Sequence, residues 1–247
     1  MSSTTVRATI DNGVAWITLD GEHTRNALDA EASAALVATC DDIDADPSVG
    51  AVVITGAGRT FCSGADTDVL HQLRTARPDE AYEGLDALYA AFRRVGRLTV
   101  PSLAAINGAA VGAGLNLALS TDLRLMADSA VLISGFDRIG LHPGGGHLHL
   151  LARAGGPGLS AAAAVFAQSI DARAALRTGL VWGVVPAAEL PAIAADTVAH
   201  LGADPSLARA LAATLRRTVA DDAAWDRAVE VERARQMWSL TRPTRER

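Results

Sequence analysis

Two segments restrict the fold of this 247-residue chain more than any other feature. Residues 51–66 read AVVITGAGRTFCSGAD, and residues 102–120 read SLAAINGAAVGAGLNLALS. Each opens with a short, continuous apolar run, which suits a strand buried on both faces. Each then passes through closely spaced glycines towards a helix start. Such a helix start leaves backbone N–H groups without partners and carries partial positive charge. Glycine lets a ligand approach that backbone closely. Two such turns side by side can aim two N–H groups at one oxygen atom and so stabilise an oxyanion or enolate. Without a ligand they are two tight strand-to-helix turns, and the local pattern alone does not choose between these readings.

The rest of the chain fits the same layout. Val6–Ile10 and Val14–Leu19 are β-rich runs separated by Asp11-Asn12-Gly13, a strong hairpin signal. From Asp29 the pattern is helical, with Leu36, Cys40 and Ile43 on one face. Pro78 opens a long helix whose inner stripe is Leu85, Leu88, Tyr89, Phe92 and Val95, read as core packing. Leu123–Met126 and Ala130–Ile133 read as extended. Beyond a His-Pro-Gly-Gly-Gly turn, helices are expected at about 148–154, 158–167, 171–179, 188–202, 205–219 and 221–238. Alternating strands and helices followed by helices alone define an α/β chain with a helical C-terminal part. The expected division is 1–187 and 188–247.

Charge and motif content remove several functions. The net charge of -6 disfavours a nucleic-acid or anionic-membrane partner, and no apolar run reaches the length of a membrane span. All 22 Lys/Arg positions are arginine, which rules out a P-loop or Schiff-base lysine. Neither glycine turn fits G-x-G-x-x-G, because Phe61 stands where the third glycine would be. There is no G-x-S-x-G around Ser63 and no H-E-x-x-H. The two cysteines, Cys40 and Cys62, and the start MSSTTVRATIDNG suggest reduced thiols in a cytoplasmic protein; Cys62 reads as a small semi-buried apolar residue.

Four stretches occur in order: T-R-N-A-L-D (24–29), A-V-V-I-T-G-A-G-R-T-F-C-S-G-A-D (51–66), A-A-I-N-G-A-A-V-G-A-G-L-N-L-A-L-S-T-D (104–122) and A-L-R-T-G-L-V-W-G-V-V-P (175–186). Together they resemble the enoyl-CoA hydratase/isomerase family, the crotonases. The resemblance implies a crotonase (ClpP-like) fold, a spiral of ββα units with a helical C-terminal region that builds a homotrimer or a hexamer of paired trimers. It implies a coenzyme A thioester substrate, with no tightly bound cofactor and no metal. It places two oxyanion-binding backbone amides at Ala65 and Ala113. Arg25, Ala27 and Ser63, Gly64, Ala65 and Asp66 fall where the family contacts the adenosine and pantetheine parts of CoA.

The sequence also departs from the family pattern. Hydration in this family relies on two carboxylates for acid–base work. One of those positions is Asn116 here and the other aligns with Phe136, neither of which exchanges a proton near neutral pH. A one-residue shift in that alignment places Asp137 there instead; otherwise Asp137 pairs locally or is solvated. The turn GLHPGGG falls where the family lines the acyl end of its pocket, and Pro143 stiffens it. His142 is then an acid–base candidate or a histidine bonded to a turn carbonyl, and His147 is a second candidate. His147 and His149 are not expected to bind metal, since a spacing of two shares a face only on a strand. Past V-E-R-A-R-Q-M-W-S-L the family continues in helix where this sequence reads TRPTRER, so less helix is expected over the acyl pocket. The expectation is an enzyme that stabilises a thioester enolate; the alternative is a non-catalytic acyl-CoA carrier or sensor.

Overall fold

The computed structural model describes residues 3–219 and 222–242. Residue 221, at the start of the last expected helix, and residues 243–247 of the TRPTRER segment lie outside the described residues. The chain opens with β1 (Thr5–Asp11) and β2 (Val14–Asp20), an antiparallel hairpin. Its turn residues Asn12 and Gly13 have φ of 48° and 75°, the left-handed pair that a two-residue hairpin requires. Helix α1 (Ala30–Ala45) follows, its first turn capped by the Asp29 carboxylate, which accepts from Ala32 N–H at 2.8 Å.

The pattern then repeats as strand, short strand, helix. Strands β3 (Ala51–Gly56) and β4 (Thr60–Cys62) precede α2 (Thr67–Thr75) and α3 (Pro78–Val95). Strands β5 (Ser102–Ile106) and β6 (Ala109–Val111) precede α4 (Ala113–Ser120). Strands β7 (Leu123–Ala127) and β8 (Val131–Ile133) precede a 3₁₀ turn at Asp137–Ile139 and α5 (His147–Ser160). A single π turn at Ala161–Val165 leads to β9 (Ile170–Asp171), α6 (Ala172–Arg177) and β10 (Gly183–Val185). Helices α7 (Leu190–Ala203), α8 (Pro205–Val219) and α9 (Asp222–Leu240) complete the described chain.

Each unit gives its first strand to one sheet and its second to another. The six-stranded sheet runs β1-β2-β3-β5-β7-β10, and the four-stranded sheet runs β4-β6-β8-β9. The β2-β3-β5-β7-β10 pairs are parallel, with the two buried apolar runs, β3 and β5, at the centre of the sheet. Residues 51–54 are fully buried, and so are Leu85, Leu88, Tyr89, Phe92 and Val95 of α3. At about 1.5–3 kcal/mol per large apolar side chain removed from water, this stripe is a principal contributor to the core.

The expectation of helices alone after the histidine turn needs correction: β9 and β10 interrupt them. So does the reading of residues 56–66 and 107–112 as turns only, because β4 and β6 lie within them. Expected helices 148–154 and 158–167 merge into α5 and its π turn, with a break at Gly156 (φ 85°) before Pro157. Helix α7 packs on β2, β3, β5 and β7, so the helical C-terminal part is joined directly to the sheet.

Candidate active site

The first glycine turn is held in place by two asparagines. Asn26, fully buried, donates from Nδ2 to the carbonyls of Thr60 (2.7 Å) and Ala57 (3.0 Å). Asn107 donates from Nδ2 to Gly56 O at 2.8 Å and accepts from Gly56 N–H at 3.2 Å. Beyond β4 the chain runs beside residues 25–28. Ser63 N–H donates to Arg25 O (3.0 Å), Leu28 N–H to Gly64 O (2.8 Å) and Asp66 N–H to Leu28 O (2.8 Å). In this parallel pairing Leu28 bonds to the residues on either side of Ala65, so the Ala65 N–H faces the opposite way.

The second turn lies directly alongside. Gly112 (φ 52°) carries β6 into α4 and donates its N–H to Ile133 O at 3.0 Å. Ala113 is the first residue of α4, so its N–H has no acceptor within the helix. A side chain built on Gly64 would begin 2.6 Å from Val111 O and 3.4 Å from Ala113 N, so glycine alone permits this approach. Ala65 and Ala113 line one cavity of about 80 Å³, with Asn116, Phe136 and the α3 stripe residues Leu85, Leu88, Tyr89 and Phe92.

Asn116 sits in that cavity wall and is buried. Its Nδ2 donates to Gly144 O at 3.0 Å, and its Oδ1 is 2.7 Å from His147 Nδ1. His147 Nε2 is 2.7 Å from Ser134 Oγ. Burial pushes the His147 imidazole down to about 3, so it is neutral near pH 7. Phe136 lines the cavity and meets the His147 ring edge-on at 4.9 Å. The glycine turn that connects these groups is tightly enclosed: a side chain on Gly145 (φ 76°) would begin 2.4 Å from Phe92 Cζ.

The helix that His147 opens is capped from a distant part of the chain. The Glu232 carboxylate on α9 accepts from the His147 N–H (2.7 Å) and the Leu148 N–H (2.9 Å). Burial pushes this carboxyl up to about 7, against the pull of those backbone amides in the other direction. Gln236, also on α9, accepts from the Tyr89 hydroxyl, and both residues line the cavity.

Of the residues singled out from sequence, the structure brings Ala65, Ala113 and Asn116 to one cavity and gathers Arg25, Ala27 and Ser63–Asp66 beside it. Arg25 is exposed, with φ of 57°. Ser63 Oγ donates to Thr24 O at 3.1 Å, and the Asp66 carboxylate caps α2 by accepting from Asp68 N–H at 2.8 Å. Asp137 and His142 instead line an adjoining hollow of about 260 Å³ with Trp238, Ser239 and Arg242. Asp137 is exposed, and His142 Nδ1 donates to Pro143 O at 2.7 Å. Cys62 is buried and its thiol is pushed up to about 12 by burial, so it is no thiolate. Ser134, Glu232 and Gln236 were not found from sequence. Ser134 stands in an undistinguished run, and Glu232 and Gln236 are separated from their partners by more than eighty residues.

Solved structures share the architecture. An enoyl-CoA hydratase from Mycobacterium avium subsp. paratuberculosis superposes with a TM-score of 0.83 at 29% identity, covering 96% of this chain and 94% of its own. An Acinetobacter baumannii protein described as a putative enoyl-CoA hydratase/isomerase gives 0.85 at 26%, covering 97% and 98%. The fold is therefore that of the crotonases, an α/β fold with two sheets and a helical C-terminal region. A probable enoyl-CoA hydratase of Mycobacterium tuberculosis is 45% identical over 71% of this chain and 67% of its own length. The Escherichia coli 1,2-epoxyphenylacetyl-CoA isomerase is 30% identical over 80% of this chain and 76% of its own. The family description enoyl-CoA hydratase/isomerase matches residues 9–242. The chain belongs to the enoyl-CoA hydratase/isomerase family, lyases and isomerases that act on CoA thioesters.

Proposed function

We propose that this protein processes an acyl-CoA thioester by stabilising its enolate between the N–H groups of Ala65 and Ala113. The observation that carries the reading is the contact of the two turns across Gly64, with Ala113 N 3.4 Å from where a side chain would begin. Negative charge gathers on the thioester oxygen as a proton leaves the α carbon, or as water adds to the β carbon of an enoyl thioester, and is discharged when a proton enters the α carbon. Donors fixed beforehand at that oxygen lower the barrier without reorganising. The exposed Arg25 and the strip formed with Ala27 and Ser63–Asp66 are assigned to the CoA moiety, Arg25 as a phosphate partner.

The two positions that hold carboxylates in the family's hydratases are taken here as Asn116 and Phe136. The neutral, buried His147 does not replace them as an acid or base near pH 7. Hydratase- and isomerase-type reactions share the enolate, and relatives carry both names, so enolate stabilisation is the function assigned.

The test is Ala113→Pro. Proline is tolerated at a first helical position; it removes the N–H and puts a ring methylene in its place. With turnover followed on a panel starting with crotonyl-CoA, the variant should lose about 10²–10³ in kcat while keeping its melting temperature, the cost of deleting one such donor. An unchanged kcat would overturn the assignment of Ala113. Tight acyl-CoA binding by the parent protein with no turnover across the panel would favour a non-catalytic carrier.

A further inference from the structure

The hydrogen bonds around Asn116 have a fixed direction. Gly144 O can only accept, so the Asn116 group facing it is Nδ2 and the group facing His147 is Oδ1. Oδ1 can only accept, so His147 carries its hydrogen on Nδ1. A neutral imidazole has one such hydrogen, which leaves Nε2 as the acceptor of the Ser134 hydroxyl. The carbonyl of Gly144 thereby orients three side chains. It also leaves one account open. Nδ2 has two hydrogens, and Gly144 O takes one. Among the described residues no other acceptor for Nδ2 is found, although Asn116 is only 1% exposed and lies in the cavity wall. A buried donor without an acceptor is costly, and an oxygen arriving with the ligand would satisfy it.

We propose that Asn116 is a fixed hydrogen-bond donor for an oxygen on the acyl chain, so that the site prefers thioesters bearing an oxo group at the β carbon; His147 and Ser134 are positioning residues. The inference rests on the thioester reading given above. Asn116 lies three residues along α4 from Ala113, about 4.5 Å of helix rise, so its amide is set apart from the Ala113 N–H and suits a different atom of the same ligand. Leu85, Leu88 and Phe92 on the same wall offer an acyl oxygen no donor; the hydroxyls of Ser63, Tyr89 and Ser134 are held by Thr24 O, Gln236 and His147, which leaves the Gln236 amide as the other side-chain donor of the lining. A carboxylate here would exchange a proton with substrate; this amide cannot, and it selects by hydrogen bonding instead.

The experiment is calorimetric titration of the full chain with acetoacetyl-CoA and butyryl-CoA, which differ only in the β oxygen. The parent protein should bind acetoacetyl-CoA about tenfold more tightly or better, the range expected when a buried donor is otherwise left unpaired. Asn116→Ala should bring the ratio of the two affinities close to one. Asn116→Asp, which keeps the acceptor for His147, should also lose the preference and serves if the alanine variant does not fold. Ser134→Ala should reduce the ratio and Ser134→Thr restore it, a rescue that a merely space-filling role does not give. Equal affinities in the parent, or an undiminished preference in folded Asn116→Ala, would overturn the inference and leave the thioester reading intact. Failure of both ligands to bind would overturn both.

Discussion

At the residue scale, the site is organised around buried groups whose protonation is set by burial. His147 is held neutral, with its imidazole pushed down to about 3, while Glu232 is pushed up to about 7. The signs of their effects on stability are opposite. Between about 3 and its ordinary value of 6.5, His147 binds a proton only when unfolded, so acidification destabilises the fold. Between 4.5 and about 7, Glu232 holds a proton only in the folded state, so its contribution is lost as pH rises. The two slopes oppose each other from about pH 4.5 to 6.5. Glu232→Gln removes one of them. Its melting temperature should therefore fall more steeply than that of the parent on acidification through this window, as thermal melts across pH will show. Parallel profiles would mean that the Glu232 carboxyl titrates at its ordinary value in the fold.

Asn116 was legible in sequence through its place after the glycine turn. His147 was a candidate from its turn, but its contacts with Asn116, Ser134 and Glu232 were not legible, because no periodicity marks pairs 31, 13 and 85 residues apart. His142 illustrates the same limit. Its position in the turn suggested the pocket, but its ring bonds to the adjacent Pro143 carbonyl and lies in the neighbouring hollow.

At the scale of elements, the long strands and helices were readable because their apolar periodicity is strong. The hairpin turn, the α3 stripe and the parallel strands all follow local pattern. The strands β4, β6, β9 and β10 have three, three, two and three residues. At that length pairing with neighbours decides, and the glycine-rich composition of 56–66 and 107–112 reads as turn. The α3 stripe makes a direct prediction. Phe92→Ala should cost about 3–5 kcal/mol in chemical denaturation, the usual range for a buried aromatic removed from a core. Because Phe92 also lines the cavity, the variant should accept bulkier acyl groups.

Arg209 performs a second structural task between elements. Its guanidinium on α8 donates to the carbonyls of Ile43, Asp44, Asp46 and Val49, around the end of α1, and to the Thr99 hydroxyl. Ile43 and Asp44 lie in the last turn of α1, where carbonyls lose their partners within the helix. Arg209→Met should lower stability by about 2 kcal/mol, given the worth of hydrogen bonds to a charged donor and some solvent screening. In a chain of this length that is roughly 4–8 °C in Tm, measurable by calorimetry.

At the scale of the molecule, repeated ββα units bring residues 25–28, 63–66 and 112–116 together, and α9 returns to close the same cavity with Gln236. The first three were visible as motifs; the last was not, since nothing local in α9 announces it. Large apolar side chains remain exposed at Val165, Phe166 and Trp182, and at Leu207, Leu211 and Leu215 on α8. We propose that a homotrimer, or a pair of trimers, covers part of this surface, and light scattering should then give three or six copies rather than one.

The central claim is that two backbone amides polarise a thioester carbonyl. Difference infrared spectroscopy with crotonyl-CoA labelled with carbon-13 at the carbonyl reads that polarisation directly, whether or not turnover follows. The parent protein at saturation should shift the carbonyl band to lower frequency than free thioester, and Ala113→Pro should lose most of that shift. A band unshifted in the saturated parent would contradict the account.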